Sequence, residues 1–589
     1  MSDAAARNVA RAATLTSAGN LSSRIVGFIA VAVRAFFFGN SQAASAFELA
    51  ANIPTIFNDL LAGRMLSSAL VPTFTGLAVD AERHEAKPDL SDYGRLLGAL
   101  LGLGAALLTA LVALLLLLAD PLATVITAGR NQDIGLVAGL LRITIPAILF
   151  MNLGAVVTAA LQARHRFEYT AFTATAFNVV MIVCTVAFQA QMGVMALAFG
   201  MLAGSAVQAA MQLPGLRGVP IRLSLNWRLP GVSKIIRLFL PVAGGLVLAQ
   251  LAAQLSFTLA NVISPQGPTT MRYAAQVIQF PLGLVSAAIS AAILPTLSAQ
   301  ALGPAPEFKA TLSRGLGLVV GLTAPAAVGL FVLATPIVGL LFQRGEFSAA
   351  STAYTALSLR AAVPNLLFSA IDGPLIFAFY ARRDTRTPTL VGLASTGVYL
   401  LLVGAGMALS ASGAREFSLA DLVLCDSLKT GFDALLMGLL LSRRIGGLGG
   451  WSLVPLAAKV GLASAAMGGV VFLVMEALQA RVGSGTFGAL AIVALGSSLA
   501  GALVYAGLVW LLRVRELPRC LDSKLGMRSK LTALFTVLTV GAQAARQSAI
   551  VAPANPALKF NQTSESFGRN RRGSSPCSSR TLSSPARPA

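Results

Sequence analysis

Apolar residues along this chain come in long unbroken blocks divided by short polar clusters. Runs of the roughly 20 residues that a membrane span needs recur about fourteen times, at 21–38, 47–79, 96–119, 136–161, 170–189, 194–212, 235–263, 271–301, 312–334, 350–379, 388–410, 419–441, 453–478 and 487–512. Each is predicted to be helical, because a strand open to lipid leaves its backbone N–H and C=O groups unpaired. Prolines fall inside several runs, at Pro54, Pro146, Pro241, Pro281, Pro364 and Pro374, where the missing amide predicts bends. After Leu512 the pattern changes. A basic stretch leads into a weak apolar run, 531–551, interrupted by Arg546, and then into a Ser-, Pro- and Arg-rich end, 552–589, expected to be disordered.

The pattern also repeats. Leu141-Arg142-Ile143-Thr144-Ile145-Pro146-Ala147-Ile148-Leu149-Phe150 returns 218 residues later as Leu359-Arg360-Ala361-Ala362-Val363-Pro364-Asn365-Leu366-Leu367-Phe368, and Ala163-Arg164 returns at the same offset as Ala381-Arg382. Val71-Pro72-Thr73 returns as Leu294-Pro295-Thr296, and Pro121 as Pro336. The offset covers six helices, an even number, so the copies cross the membrane in the same direction. Such parallel repeats hold substrate between lobes and alternate access by rocking one lobe against the other. The expected fold is therefore an all-α polytopic membrane protein of about 14 transmembrane helices, in two six-helix lobes plus two extra helices. Its expected divisions are a cytoplasmic segment at 1–20, a first lobe at 21–215, a second at 216–445, the extra pair at 446–512, and a basic tail at 513–589.

Composition agrees: 56% of the 589 residues are hydrophobic and 11% charged, against about 25% charged in soluble chains. The net charge of +21 suggests nucleic acid until its distribution is read. Arg83, Lys87 and Arg95; Arg164 and Arg166; Arg217, Arg222, Arg228 and Lys234; Lys309; Arg382, Arg383 and Arg386; and Arg443 with Arg444 fall on alternate connections. The connections between them hold only scattered charges such as Arg130, Arg344, Arg415 and Arg481. This is the positive-inside bias: it puts both ends of the helical body in the cytoplasm, and no nucleic-acid partner is expected. Cys184, Cys425, Cys520 and Cys577 lie too far apart for a metal or disulfide framework. Outer connections lack clustered acids or histidines for catalysis, and no phosphate-cradling glycine loop is present, so neither an enzyme nor a cofactor is expected.

Charges at membrane depth are the candidate chemistry, since each costs at least ~2.5 kcal/mol on a lipid-facing helix. Arg24 and Arg34 are ten residues apart, about 15 Å along one helix face. Glu48, Asp59 and Arg64 follow in the second run, and Arg272 and Gln276 in the eighth. Guanidinium groups suit a diphosphate, because their planar fork donates paired hydrogen bonds and stays charged. Arg24, Arg34, Arg272 and Gln276 are therefore the expected substrate site, with Glu48, Asp59 and Arg64 shaping or gating it. The competing view has Arg34 and Arg272 snorkelling to the interface and binding nothing. Asp426, Lys429 and Asp433 share a helix face, and with Asp372 they are candidates for ion coupling, a structural ion pair being the plainer view.

Several segments resemble one family. They are Ser23-Arg24-Ile25-Val26-Gly27-Phe28 with Phe38-Gly39, Ile53-Pro54 through Val71-Pro72, Phe280-Pro281 to Leu294-Pro295, Leu341-Phe342-Gln343-Arg344-Gly345-Glu346-Phe347, and Phe379-Tyr380-Ala381-Arg382-Arg383-Asp384-Thr385-Arg386-Thr387-Pro388. Over roughly residues 15–512 the chain resembles the MurJ (MviN) family of lipid II flippases, within the multidrug, oligosaccharidyl-lipid and polysaccharide exporter superfamily. The resemblance implies movement of the lipid-linked peptidoglycan precursor, a polyprenyl-diphosphate glycan, from inner to outer leaflet of a bacterial cytoplasmic membrane. Its implied partners are lipid II, membrane lipids and cell-wall synthesis proteins. The family pattern has Arg at the position of Ala30, Asp at Ser45, Arg at Asp59, Glu at Gly63 and Arg at Gln276; of its cavity charges only Arg24 is kept. Arg34 lies four residues after Ala30 and Arg272 four before Gln276. The two helices run in opposite directions, so both guanidinium groups shift one turn outward and the phosphate site is expected to move with them. Rival expectations are an exporter of another lipid-linked glycan or a drug, and a transport-inactive relative that scaffolds wall synthesis.

Overall fold

The computed structural model describes residues 3–60, 70–83, 90–300, 305–382, 384, 386–447, 450–483 and 485–512. Arg64, Gly63 and the tail at 513–589 lie outside the described residues. Among those described, the regular structure is helical throughout. In chain order the first half holds α1 (Asp3–Phe38), α2 (Gln42–Asn58), α3 (Val71–Arg83), α4 (Ser91–Leu117), α5 (Ala119–Thr127), α6 (Ile134–Thr144), α7 (Ala147–Ala163), α8 (Thr173–Met192) and α9 (Met195–Ala210). The second half holds α10 (Pro230–Ile263), α11 (Gly267–Gln300), α12 (Ala305–Val332), α13 (Ala334–Phe342), α14 (Ala349–Ala381), α15 (Arg386–Ala411) and α16 (Leu419–Ile445), followed by α17 (Gly450–Val482) and α18 (Phe487–Leu511).

Helix boundaries fall where local chemistry satisfies free backbone groups. Ser41 accepts from the Ala44 amide to start α2, and Asp133 accepts from Gly135 and Leu136 to start α6. Ser418 and Asp421 form a reciprocal capping box on α16, which ends at Gly446 in the left-handed conformation. Ten helical segments among the described residues are long and apolar enough to cross a membrane, and each coincides with one of the fourteen runs in the sequence. The others are carried by α2 with α3, by α10, by α11, and by α16, whose Asp421, Asp426, Lys429 and Asp433 make it the most charged. This is a multi-pass membrane protein.

The repeat is visible in the order of elements. A 27-residue α4 precedes the nine-residue α5, just as a 28-residue α12 precedes the nine-residue α13. Arg142 reaches Asp120 at the start of α5, 2.7 Å away, and Arg360 reaches Thr335 at the start of α13, 3.3 Å away. The two prolines of the repeated segment behave differently. Pro146 separates α6 from α7, whereas Pro364 lies within a continuous α14.

Several apolar clusters result, and two of them bear on the site. One is built from α2 and α4 to α9 and includes Phe47, Leu140, Leu141, Ile148 and Leu197. The other is built from α11 to α14 and α16 around Tyr273, Phe342, Phe347 and Leu359, and it includes Val31 and Ala35 of α1. Helix α1 thus packs along α8 in its own half and lends its last turns to the other. Helices α17 and α18 pack on α12 and α13, at the edge of the second half.

Candidate functional site

The two halves meet around the α1–α2 turn, and here three of the predicted charges converge. Glu48, on α2 and 1% exposed, bonds Arg34 through Oε1 and accepts from Arg272 Nε through Oε2 at 2.8 Å. Arg34 is buried against the Phe47 ring, 5.1 Å from its centroid, and Arg272 lies 5.5 Å from that of Phe257. One carboxylate thus answers two guanidinium groups, and Arg34 Nε is buried with no hydrogen-bond partner among the described residues. A buried ion stays charged when opposite charge and hydrogen bonds compensate for lost water. Here the compensation is partial, and the triad keeps a positive excess. Arg34 is buried in protein and 8% exposed.

Around the triad runs a seam of uncharged polar contacts. Ser45 Oγ lies 2.8 Å from Thr269 Oγ1, Asn40 Nδ2 donates to Thr270 Oγ1 at 2.8 Å, and Tyr273 donates to the Gly39 carbonyl at 2.8 Å. Asn52 donates to Gln254 on α10 at 2.7 Å, and Asn261 binds the carbonyls of Thr127 and Arg130. Two of the family-like segments touch each other. The Glu346 amide donates to the Phe36 carbonyl, and Gly39 and Gly345, both at φ +57°, lie where a Cβ on either would strike the other segment's backbone. In the sequence, charge singles out Arg34, Glu48 and Arg272; of the neutral seam residues only Ser45 is marked, as a substituted family position, and the others carry no charge to reveal them. Their one signal was an amide inside an apolar run, at Asn52, Gln254 and Asn261.

The other expected site residues lie further along. Arg24 is not in the triad. Its Nη1 donates to the Gln279 carbonyl at 3.3 Å, and the guanidinium fills the space beside Gly283. Gln279 is seven residues, about 10 Å, beyond Arg272 on α11. Gln276 is half-buried between them, and Arg24, Gln279 and Asp59 are exposed. Asp59, at the end of α2, is within electrostatic reach of Arg272. Of the substituted family positions, Ala30 is buried packing and Ser45 is a hydroxyl link across the seam.

The α16 charges separate into two groups. Asp426 pairs with Lys429 at 3.6 Å and accepts from Asn365 at 3.2 Å, while Lys429 lies 5.9 Å from the Tyr399 ring centroid. Asp433 instead accepts from Ser395 on α15 at 2.6 Å and faces Asp372 on α14. The three charges therefore do not form one self-neutralised cluster, because neighbouring helices draw the two carboxylates to different partners.

A sequence profile of the lipid II flippase MurJ family matches residues 34–493. The chain belongs to the MurJ family. It is 30% identical over 399 residues to the probable lipid II flippase MurJ of Vibrio cholerae, covering 66% of this chain and 75% of that one. It is 29% identical over 423 residues to the lipid II flippase MurJ of Burkholderia cenocepacia, covering 68% and 81%. Among solved structures, lipid II flippase MurJ in an inward closed conformation aligns with a TM-score of 0.69 at 21% identity, covering 85% of this chain and 99% of that one. An inward-facing multidrug transporter of the MATE family in the MOP superfamily aligns at 0.58 and 14% identity, covering 72% and 95%. These structures share the fold, and MurJ family membership rests on the sequence match. Arg34 falls at the first matched residue, and Arg24 lies before it.

Proposed function

We propose that this protein moves lipid II across the bacterial cytoplasmic membrane by alternating access, as a transporter and not an enzyme. In this reading residues 21–215 and 216–445 are the two rocking lobes, 446–512 is a supporting pair, and the seam around Glu48 faces outward with both ends of the helical body inside. The observation that carries it is the meeting of Arg34 and Arg272 on Glu48, across two halves of a MurJ-family chain. A diphosphate rising from the inner side meets Arg24 and Gln276, then the half-buried Arg272. Phosphate oxygens offer Arg272 a stronger partner than a carboxylate already shared with Arg34. As Arg272 leaves Glu48, the ionic tie across the seam is lost and the outer side parts; after release, Glu48 recaptures it. Glu48 thus acts as a gating counter-ion, with Asp59 and Arg64 shaping the approach. The separated charged groups at α16, Asp426 with Lys429 and Asp433 with Asp372 of α14, support a role in ion coupling.

The test is replacement of the resident flippase in a depletion strain, with leaflet-specific labelling of lipid II. The wild-type gene is expected to restore growth and outer-leaflet lipid II, and Arg34→Ala with Arg272→Ala to lose both. Wild-type cells labelling no faster than the empty vector would sink the flippase reading. An active double variant would sink the site alone.

A further inference from the structure

The connection between the two halves carries a feature outside the proposed transport route. After Gly218, which turns with φ +85°, residues 219–226 run without regular structure along the first turns of α4. Their backbone is seated in a groove made by Gly94, Gly98 and Gly102, spaced four apart on one helix face. A Cβ at any of the three would strike the carbonyl of Pro220, Arg222 or Ser224 respectively. The Ser224 amide donates to the Gly98 carbonyl at 3.2 Å, fixing the register. With the backbone held, nearly all of the side chains from Arg222 to Arg228 are exposed. Leu223, Leu225 and Trp227 are 73%, 65% and 63% exposed, between Arg222, Asn226 and Arg228.

Depth follows from α4. Its 27 residues are about 40 Å long, against a hydrocarbon core of ~30 Å. The excess belongs at the Asp92 and Arg95 end, where an exposed ion pair marks the watery side. Gly98 and Gly102 lie about 10 and 16 Å from Ser91 along the helix, which puts the pinned segment at the boundary between head groups and chains. Indole rings concentrate at that level, and the Arg228 guanidinium lies 5.4 Å from the Trp227 ring centroid, at the same height.

Charge completes the picture. Residues 217–237 contain Arg217, Arg222, Arg228, Lys234 and Arg237 and no acidic residue. None of the five forms an ion pair among the described residues, whereas Arg95 pairs with Asp92 and Arg444 with Asp384. The positive-inside bias explains their sign. It does not require a backbone pinned in a glycine groove, nor exposed apolar side chains flanked by basic ones. We propose that residues 217–237 form a binding site for anionic phospholipid head groups, the lipid phosphates lying against the basic side chains and Leu223, Leu225 and Trp227 entering the acyl boundary. The leaflet it serves follows the orientation proposed above; the binding itself does not depend on it.

The chain has three tryptophans, so Trp451→Phe with Trp510→Phe leaves Trp227 as the reporter. In phosphatidylcholine nanodiscs, a minor fraction of brominated phosphatidylglycerol is expected to quench Trp227 more than an equal fraction of brominated phosphatidylcholine. Raising salt from about 0.1 M to about 1 M is expected to erase the difference in the unaltered linker, by shortening the screening length about threefold. Arg217→Gln, Arg222→Gln and Arg228→Gln together are expected to abolish it, at about five-fold in local lipid preference per residue, and the corresponding Lys variants to retain it. Equal quenching by the two lipids at low salt overturns the proposal, as does a difference that survives both high salt and the Gln variants.

Discussion

Glu48 is buried and shared by two guanidinium groups, and removing one member of such a group is far more disruptive than replacing the group with apolar side chains. Glu48→Ala would leave Arg34 buried without opposite charge, a loss of about 3–5 kcal/mol, and is expected to lower the thermal midpoint of the purified protein by many degrees. Arg34→Met together with Glu48→Met removes the fully buried charge and leaves only the half-buried Arg272 without its partner, and is expected to recover most of that stability without recovering transport. A double variant as unstable as Glu48→Ala would mean that the triad serves packing alone. The charge of these residues was legible from the sequence because charged side chains in apolar runs are conspicuous. Their partnership was not, because hydrogen-bond geometry depends on how far each helix is rotated.

At the level of elements, the junction of α14, α15 and α16 shows what a single acid can organise. Asp384 caps α15 through the Thr387 amide at 3.0 Å and the Thr387 hydroxyl at 2.7 Å, and it also bonds Arg444 near the end of α16. Burial by itself would raise this carboxyl's pKa. The Thr387 hydrogen bonds and the Arg444 charge outweigh burial and hold it at about 2. A depressed pKa of this kind stabilises fully above the unfolded value of about 4 and is lost as pH falls from there toward 2. Thermal unfolding in detergent should therefore show wild type losing stability below about pH 4, with Asp384→Asn less stable at neutral pH and flatter across that window. Equal midpoints at neutral pH would refute the assignment. The segment containing Asp384 stood out in the sequence as family-like, while its role as a cap joining three helices came from the fold. The repeated prolines make the same point: Pro146 separates two helices and Pro364 lies within one, although their local sequences are alike.

Over the whole molecule, the state is defined by which end of the two halves is tied. Ser45 with Thr269, Asn40 with Thr270 and Tyr273 with Gly39 close one end, while Arg24, Asp59 and Gln279 toward the other remain exposed. If transport requires the tied end to part, a covalent bond there must stop it. Ser45→Cys with Thr269→Cys, placed where the native hydroxyls are 2.8 Å apart, is expected to cross-link under oxidation, abolish transport in vesicles, and regain it on reduction. Transport that continues through the cross-linked protein would rule out an opening at this seam.

The sequence by itself determined the helical class, the spans that are regular and apolar, the internal repeat and the resemblance to the MurJ family, because bilayer thickness and backbone hydrogen bonding impose those constraints residue by residue. It also isolated the charges that lipid would reject. Only the tertiary structure decided that Arg34 and Arg272 answer to the same Glu48, that Arg24 stands apart at Gln279, and that Asp433 turns from Lys429 toward Ser395 and Asp372. Local periodicity tells which face of a helix is polar. The partner that face meets is set by the packing of helices distant in the chain.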